Sequence, residues 1–362
     1  MKTSRRIRDL NIALVHDDLV QWGGAERVLV ALSEIFPQAP IYTSVFHTGN
    51  KLLRDNFQSK KIITSFIQKI PGWKKMYKAL LPLYPLAFEQ FDFSGFDLVI
   101  SHSTRFAKSV ITKNNTKHLC YCPTPPRFLW NFSKEKVFSL LSPYLSFLRI
   151  YDQCVAKKID IWVANSRNVK DRIKKVYGAS ASVIYPFVDI GKFSKVQPFE
   201  GGYLLVVSRL NKYKRVDLVI EAANKSNVYL KVVGNGPDYP RLTKMAGPTV
   251  EFLGSVSEKL LSILLAGCKA VVVAGEEDFG MVSLEAQAVG KPVIAYKKGG
   301  SLETVIHGVT GYFFELPTVE SLIGALALLD KYGYNQKRCQ SQARKFSKER
   351  FMREFRTLVS SI

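Results

Sequence analysis

Short apolar runs recur from one end of the chain to the other, each followed by a polar turn and then a helical pattern. In the first half they fall at residues 11–16, 41–46, 97–101, 118–122, 161–165 and 183–186. In the second half they fall at 203–208, 228–233, 250–253, 270–273, 293–296 and 311–315. A run without polar alternation must be buried on both faces, which requires a parallel sheet covered by helices. Strands alternating with helices in two blocks therefore predict an α/β protein of two doubly wound, Rossmann-like parallel-sheet domains. Right-handed crossovers bring the ligand crevice of each sheet to the carboxyl ends of its strands. Two such domains are expected to face each other across a central cleft. A length of 362 residues exceeds what one core usually holds. The polar, irregular stretch 189–200 is the best linker, giving domains at 1–188 and 189–346. Residues 347–362 read as a basic amphipathic helix.

The net charge of +22 draws the chain toward polyanions or acidic surfaces without naming one. No nucleic-acid motif accompanies it, although a non-catalytic polyanion-binding protein remains an alternative at this stage. Cys120, Cys122, Cys154, Cys268 and Cys339 show neither metal-ligand nor disulfide-framework spacing; Cys120 and Cys122, in a buried strand, read as small core residues, and a reducing cytoplasm fits. Arg5-Arg6 near the N-terminus lacks the long apolar segment a twin-arginine signal needs. No stretch has the apolar length of a spanning helix, so a soluble or peripheral protein is expected.

Residues 270–296 concentrate the chemistry. The run 270–273 reads as a buried strand, Gly280 opens a helix, Gly290 ends it, and 293–296 is the next strand. Glu277 lies in the loop and Glu285 on the helix, both near the carboxyl end of a strand. Carboxylates there suit vicinal diols, and free amides at the helix start suit a phosphate. Arg209 and Lys214 stand five apart just after the strand 203–208. Their fixed charges suit a diphosphate, and the sequence contains no Asp-x-Asp motif to hold a metal. Gly23-Gly24 sits where the first strand turns into a helix, a place for backbone amides to approach a ligand. His102 ends a strand of the first domain. Residues 123–130 are proline-rich and predict a rigid loop carrying Arg127 and Trp130.

Glu277 and Glu285, with Phe279-Gly280 between them, resemble the Glu-x7-Glu signature of retaining glycosyltransferases of family four. Arg209 and Lys214 match that family's Arg-x4-Lys pair. The resemblance implies the glycosyltransferase B fold, with the final helix crossing back to the first domain. It implies donor-diphosphate binding by Arg209 and Lys214, ribose binding by Glu285, and contact of Glu277 with the transferred sugar. Phe279, Gly280, Met281 and Val282, with Gly23 and Gly24, would face the donor. On the residues themselves, His102 is placed near the reacting sugar because it follows a strand of the first domain, and Arg127 and Trp130 could hold a phosphate or a sugar face of the acceptor. The implied activity is metal-independent, configuration-retaining transfer of a hexose from a GDP- or UDP-linked donor to a lipid-linked or polysaccharide acceptor, without a cofactor. A sugar-nucleotide epimerase of the same fold is the alternative enzyme. The motifs Cys120-Tyr121-Cys122, Thr124-Pro125 and Ala164-Asn165-Ser166 resemble a subgroup that includes mannosyltransferases of surface-polysaccharide assembly. That subgroup usually has histidine where Pro123 stands.

Residues 60–88 contain six lysines and no acid. Trp73, Met76, Tyr77, Leu80 and Leu81 follow helical spacing, as do Ile62, Ile63, Phe66, Ile67 and Ile70. Such stripes usually mark a core-facing surface helix, but six lysines without an acid predict a basic amphipathic helix with Lys74, Lys75 and Lys78 turned toward the anionic, cytoplasmic face of a membrane.

Overall fold

The computed structural model describes residues 9–76, 79–130, 142–193 and 196–362. The chain divides into two compact units, Met1–Tyr185 with Phe351–Ile362, and Pro186–Arg350. Both are built on parallel sheets.

The first unit holds β1 (Ile12–His16), β2 (Ile41–Thr43), β3 (Ile62–Thr64), β4 (Leu98–His102), β5 (Lys117–Cys122), β6 (Ile161–Ala164) and β7 (Ala181–Val183). Their order across the sheet is β3-β2-β1-β4-β5-β6-β7, so the direction of travel reverses between β1 and β4. Every residue of β1 and β4 is buried, as runs without polar alternation require. In register, His16 stands opposite His102, and His102 opposite Tyr121. One face of the sheet packs on Trp73, Tyr84, Phe88 and Phe106, while Cys120, Cys122, Val169 and Ile173 share a second cluster. The last helix, Lys348–Ser360, buries Phe351, Phe355 and Val359, a spacing of four that lines one helical face. Phe351 and Phe355 meet the Tyr121 ring at 6.0 and 5.9 Å, and Phe355 reaches Phe36 at 6.4 Å.

The second unit holds β8 (Tyr203–Val207), β9 (Tyr229–Val233), β10 (Val250–Gly254), β11 (Cys268–Val273), β12 (Val293–Tyr296) and β13 (Gly311–Phe314). The order β10-β9-β8-β11-β12-β13 reverses between β8 and β11. Leu204, Val206, Leu230, Val232, Ala270 and Ile294 form the core of one face with the helices Val216–Ser226 and Val319–Tyr332. Ser257 caps the helix Glu258–Gly267, its hydroxyl accepting the Leu260 N–H at 3.2 Å.

Several local expectations are corrected. Among the described residues, neither apolar stripe, 62–70 or 73–81, forms a continuous amphipathic helix. Ile62–Thr64 pairs with β2 as an edge strand, Phe66–Lys69 is a 3-10 turn, and Trp73–Met76 is a single helical turn. Pro71 and the left-handed Gly72 (φ +75°) interrupt any continuous helix. Trp73 and Ile67 are buried in the core, and Trp73 meets His47 edge-on at 6.2 Å. The two stripes thus split, Ile67 and Trp73 turning inward while Phe66 and Met76 stay exposed. Lys74 and Lys75 are exposed, and Tyr77 and Lys78 lie outside the described residues. The stretch 189–200 is not a bare linker either. It holds a helical turn, Ile190–Phe193, whose Phe193 is buried, and the Val188 N–H donates to the Phe346 carbonyl within the second unit. The proline-rich loop ends in a helical turn, Arg127–Trp130, because prolines just before a first turn are compatible with helix. The helices Lys51–Phe57, Tyr239–Met245 and Gln336–Arg344 carried no sequence signal strong enough to be read.

Candidate active site

In the second unit the loops after β8 and β11 lie side by side at the reversal point of the sheet, where doubly wound folds bind ligands. Arg209 is exposed just beyond the end of β8. The chain then turns through the 3-10 segment Lys212–Lys214 and enters the helix Val216–Ser226. Lys214 donates through Nζ to both carboxylate oxygens of Glu277 at 2.6 Å. The two side chains are only 17% and 20% exposed, so water screens the pair weakly. Close glycine contacts hold each of these loops against the loop of its other neighbouring strand, β9 or β12. A Cβ at Gly234 would stand 1.9 Å from the Ser208 carbonyl oxygen, and one at Gly300 would stand 2.3 Å from Phe279 Cα. The Gly300 N–H donates to the Glu277 carbonyl at 2.8 Å.

Gly280 has φ +92° and starts the helix Met281–Ala288, a turn that glycine makes at least cost. Phe279 is buried against Phe346, with ring centroids 5.5 Å apart. Met281 and Val282 form the first turn of that helix, and Glu285 lies farther along it, buried. Arg209, Lys214, Glu277, Phe279, Gly280, Met281, Val282 and Glu285 thus belong to one unit and to adjacent strand ends. What they assemble chemically is two cations, two carboxylates and a helix start.

The first unit has its own reversal point, between β1 and β4. Gly23 is extended (φ −166°) and caps the helix Gly24–Ile35. Asp17, just after β1, organises the facing loop. Its carboxylate accepts the N–H groups of Thr104, Arg105, Phe106 and Ala107 at 2.6 to 3.0 Å, and the Thr104 hydroxyl at 2.9 Å. Burial alone would raise its pKa. Arg105, His16 and the backbone donors outweigh burial and hold it below the usual carboxylate value. Arg105 also pairs with Asp18.

His102 is fully buried at the end of β4, with its ring 5.0 Å from His16 and 5.5 Å from Tyr121. Burial, reinforced by His16, pushes its pKa well below 6.5, so the ring is neutral at ordinary pH. His16 Nε2 lies 3.9 Å from Glu26 Oε1. Both His102 ring nitrogens, His16 Nδ1 and Glu26 Oε2 are buried without hydrogen-bond partners among the described residues. Glu26 went unread in the sequence because its signal, an acid in a first helical turn, is also an ordinary helix-dipole pattern.

The polar edge of Trp130 is tied back to the protein. Its indole N–H donates to Asp152 Oδ2 at 2.8 Å, and the Tyr177 hydroxyl donates to the same oxygen at 2.7 Å. Lys108 meets Asp152 Oδ1 at 2.6 Å, with both side chains almost wholly buried. Burial opposes the Lys108 charge, but Asp152 outweighs it and raises the pKa. This buried cluster braces the proline-rich loop, on which Arg127 is half-buried.

A "Glycosyltransferase Family 4" model matches residues 22–192, and a "Glycosyl transferases group 1" model matches residues 190–346. The chain is 24% identical to the alpha-1,3/1,6-mannosyltransferase ALG2 of Dictyostelium discoideum, over 98% of this chain and 99% of that one. It is 25% identical to the Mus musculus protein of the same name, over 86% and 85%. Anabaena Alr3699/HepE, solved in complex with UDP and glucose, superposes with a TM-score of 0.72 at 19% identity, covering 98% of this chain and 100% of that one. The chain is a glycosyltransferase of the GT-B fold, with a family 4 domain in its first half and a group 1 domain in its second, and it resembles mannosyltransferases.

Proposed function

We propose that this glycosyltransferase moves a hexose, mannose foremost, from a nucleotide-diphosphate donor to a lipid-linked or polysaccharide acceptor, with retention and without a metal. The observation that carries the reading is the Lys214–Glu277 pair, joined at 2.6 Å beside the Gly280 helix start. A leaving diphosphate needs positive charge that is in place before the bond breaks. In this reading Lys214 and Arg209 supply it, and the amides around Phe279, Gly280, Met281 and Val282 add the field of a helix N-terminus. Glu277, released from Lys214 by the incoming phosphate, accepts hydroxyl protons of the hexose. Glu285 accepts those of the ribose.

In the first unit, Gly23 and Gly24 approach the donor, and neutral His102 faces the reacting sugar as a hydrogen-bonding group rather than a cation. Arg127 and the face of Trp130 serve the acceptor. Mannose is put first because two relatives are named as mannosyltransferases. UDP-sugars stand beside GDP-sugars because one structural neighbour was solved with UDP and glucose. A peripheral contact with an anionic, cytoplasmic membrane surface accompanies the lipid-linked acceptor, favoured by the net charge of +22.

The test is a thermal-shift panel of GDP- and UDP-hexoses, followed by transfer to a lipid-linked glycan. A bound donor raises the melting temperature by mass action. One donor is expected to stabilise the protein and to lose its sugar to the acceptor. Failure of every donor to bind, or conversion of a donor into its epimer without transfer, overturns the reading.

A further inference from the structure

We infer that Gly275 and Arg215 are positioning residues for Lys214, gripping the turn that carries it from two sides. The inference rests on the proposed role of Lys214 toward the donor diphosphate. A Cβ at residue 275 would stand 2.5 Å from the Tyr213 carbonyl oxygen and 2.7 Å from Lys214 Cα. Both are backbone atoms, so no rotamer change relieves the clash, and the turn itself must retreat from the end of β11. Gly275 is not among the glycines with left-handed backbone, so what it provides is space alone.

On the other side of Lys214, Arg215 holds φ +53° and ψ +39°, a conformation disfavoured for a residue with a side chain. Its N–H donates to the Lys212 carbonyl at 3.1 Å and closes the turn. Its Nε reaches Asp217 Oδ1 at 3.3 Å, which ties the strained residue to the helix it opens. The partner loop is gripped in the same way. A Cβ at Gly299 would stand 2.3 Å from the Glu277 carbonyl oxygen. A lysine stem is flexible, yet here its ammonium is delivered to both oxygens of Glu277. Bare backbone at 275 and a left-handed turn at 215 account for that delivery.

The experiment compares Gly275→Ala, Lys214→Ala and the double variant in full-length enzyme at saturating donor, with thermal melts alongside. A small displacement of a catalytic group costs up to about 100-fold in rate. Gly275→Ala is therefore expected to melt cooperatively and to lose about 10- to 100-fold in kcat, with donor KM moving far less. With Lys214 absent there is nothing left to position, so the double variant is expected to match Lys214→Ala within about threefold. Losses that multiply would overturn the inference while leaving the role of Lys214 intact. A Lys214→Ala enzyme at wild-type rate would overturn the reading beneath it as well. Should Gly275→Ala fail to melt cooperatively, Arg215→Val against Arg215→Gly tests the same grip. Valine resists the left-handed region and is expected to lose more kcat than glycine, and equal losses would overturn the inference.

Discussion

Lys214 and Glu277 were legible as separate residues because each follows a strand that reads clearly, but the bond between them spans 63 residues and no local pattern announces it. The same distance problem hid Asp17, whose partners lie 87 to 90 residues away, and the Lys108–Asp152 pair. Removing charge where it grows in the transition state should be felt in turnover. Arg209→Ala and Lys214→Ala are each expected to lower kcat about 100-fold or more, by analogy with lost oxyanion donors. Glu285→Ala should chiefly raise donor KM, and Glu277→Ala should chiefly impair transfer. Steady-state kinetics on folded variants decide this, and four near-wild-type enzymes would place the site elsewhere. His118 gives a pH effect of known sign. It is buried, its Nε2 lies 2.8 Å from Ser101 Oγ, and burial lowers its pKa from 6.5 to about 4. Between those values the unfolded chain binds the extra proton, so stability is full above pH 6.5 and falls as pH drops toward 4. The shift corresponds to something on the order of 3 kcal/mol. Urea melts from neutral to acidic pH should show a shallower loss in His118→Gln than in wild type. Parallel curves would mean that His118 does not contribute.

Elements with continuous apolar runs were read well, and the failures have a common cause. Residues 62–70 fit helical spacing as counted, but Ile62–Thr64 finds a long-range partner in β2 and becomes a strand. Tertiary pairing outweighs local periodicity when a sheet edge is available. Trp73, a membrane anchor on the helical reading, is a core residue of the first unit. Exposed beside it are Lys74 and Lys75, together with the apolar Met76. A lysine near an anionic surface is worth about 1 kcal/mol. Changing Lys74 and Lys75 to Glu is thus expected to weaken co-sedimentation with anionic vesicles by roughly tenfold or more at low salt, with the difference shrinking as salt rises. Equal sedimentation of both proteins would exclude this segment as the contact. The last helix allows a cleaner packing test. Phe351 is fully buried, and Phe351→Ala should cost about 3–5 kcal/mol in denaturant unfolding. A loss near zero would show that the helix is not held by that ring.

At the scale of the whole molecule, the alternation of strand and helix specified two parallel sheets, and the right-handed crossover rule makes the reversal in each sheet intelligible. Which two strands flank each reversal, β1 with β4 and β8 with β11, came only from the structure, because strand order is a pairing property rather than a local one. Apart from Arg127 and Trp130, which follow β5, the candidate residues of each unit lie at its reversal, and the cations Arg209 and Lys214 stand in for a metal in the proposed chemistry. Activity is therefore expected to survive chelation by EDTA, and an absolute need for manganese or magnesium would contradict that part of the reading. The most direct test joins chelation to stereochemistry. The enzyme is given its α-linked nucleotide hexose and a lipid-linked acceptor in EDTA, and the anomeric proton of the new linkage is read by NMR as it forms. The expected product is the α-glycoside, and a β-glycoside, or no product until a divalent metal is restored, would contradict retaining, metal-independent transfer.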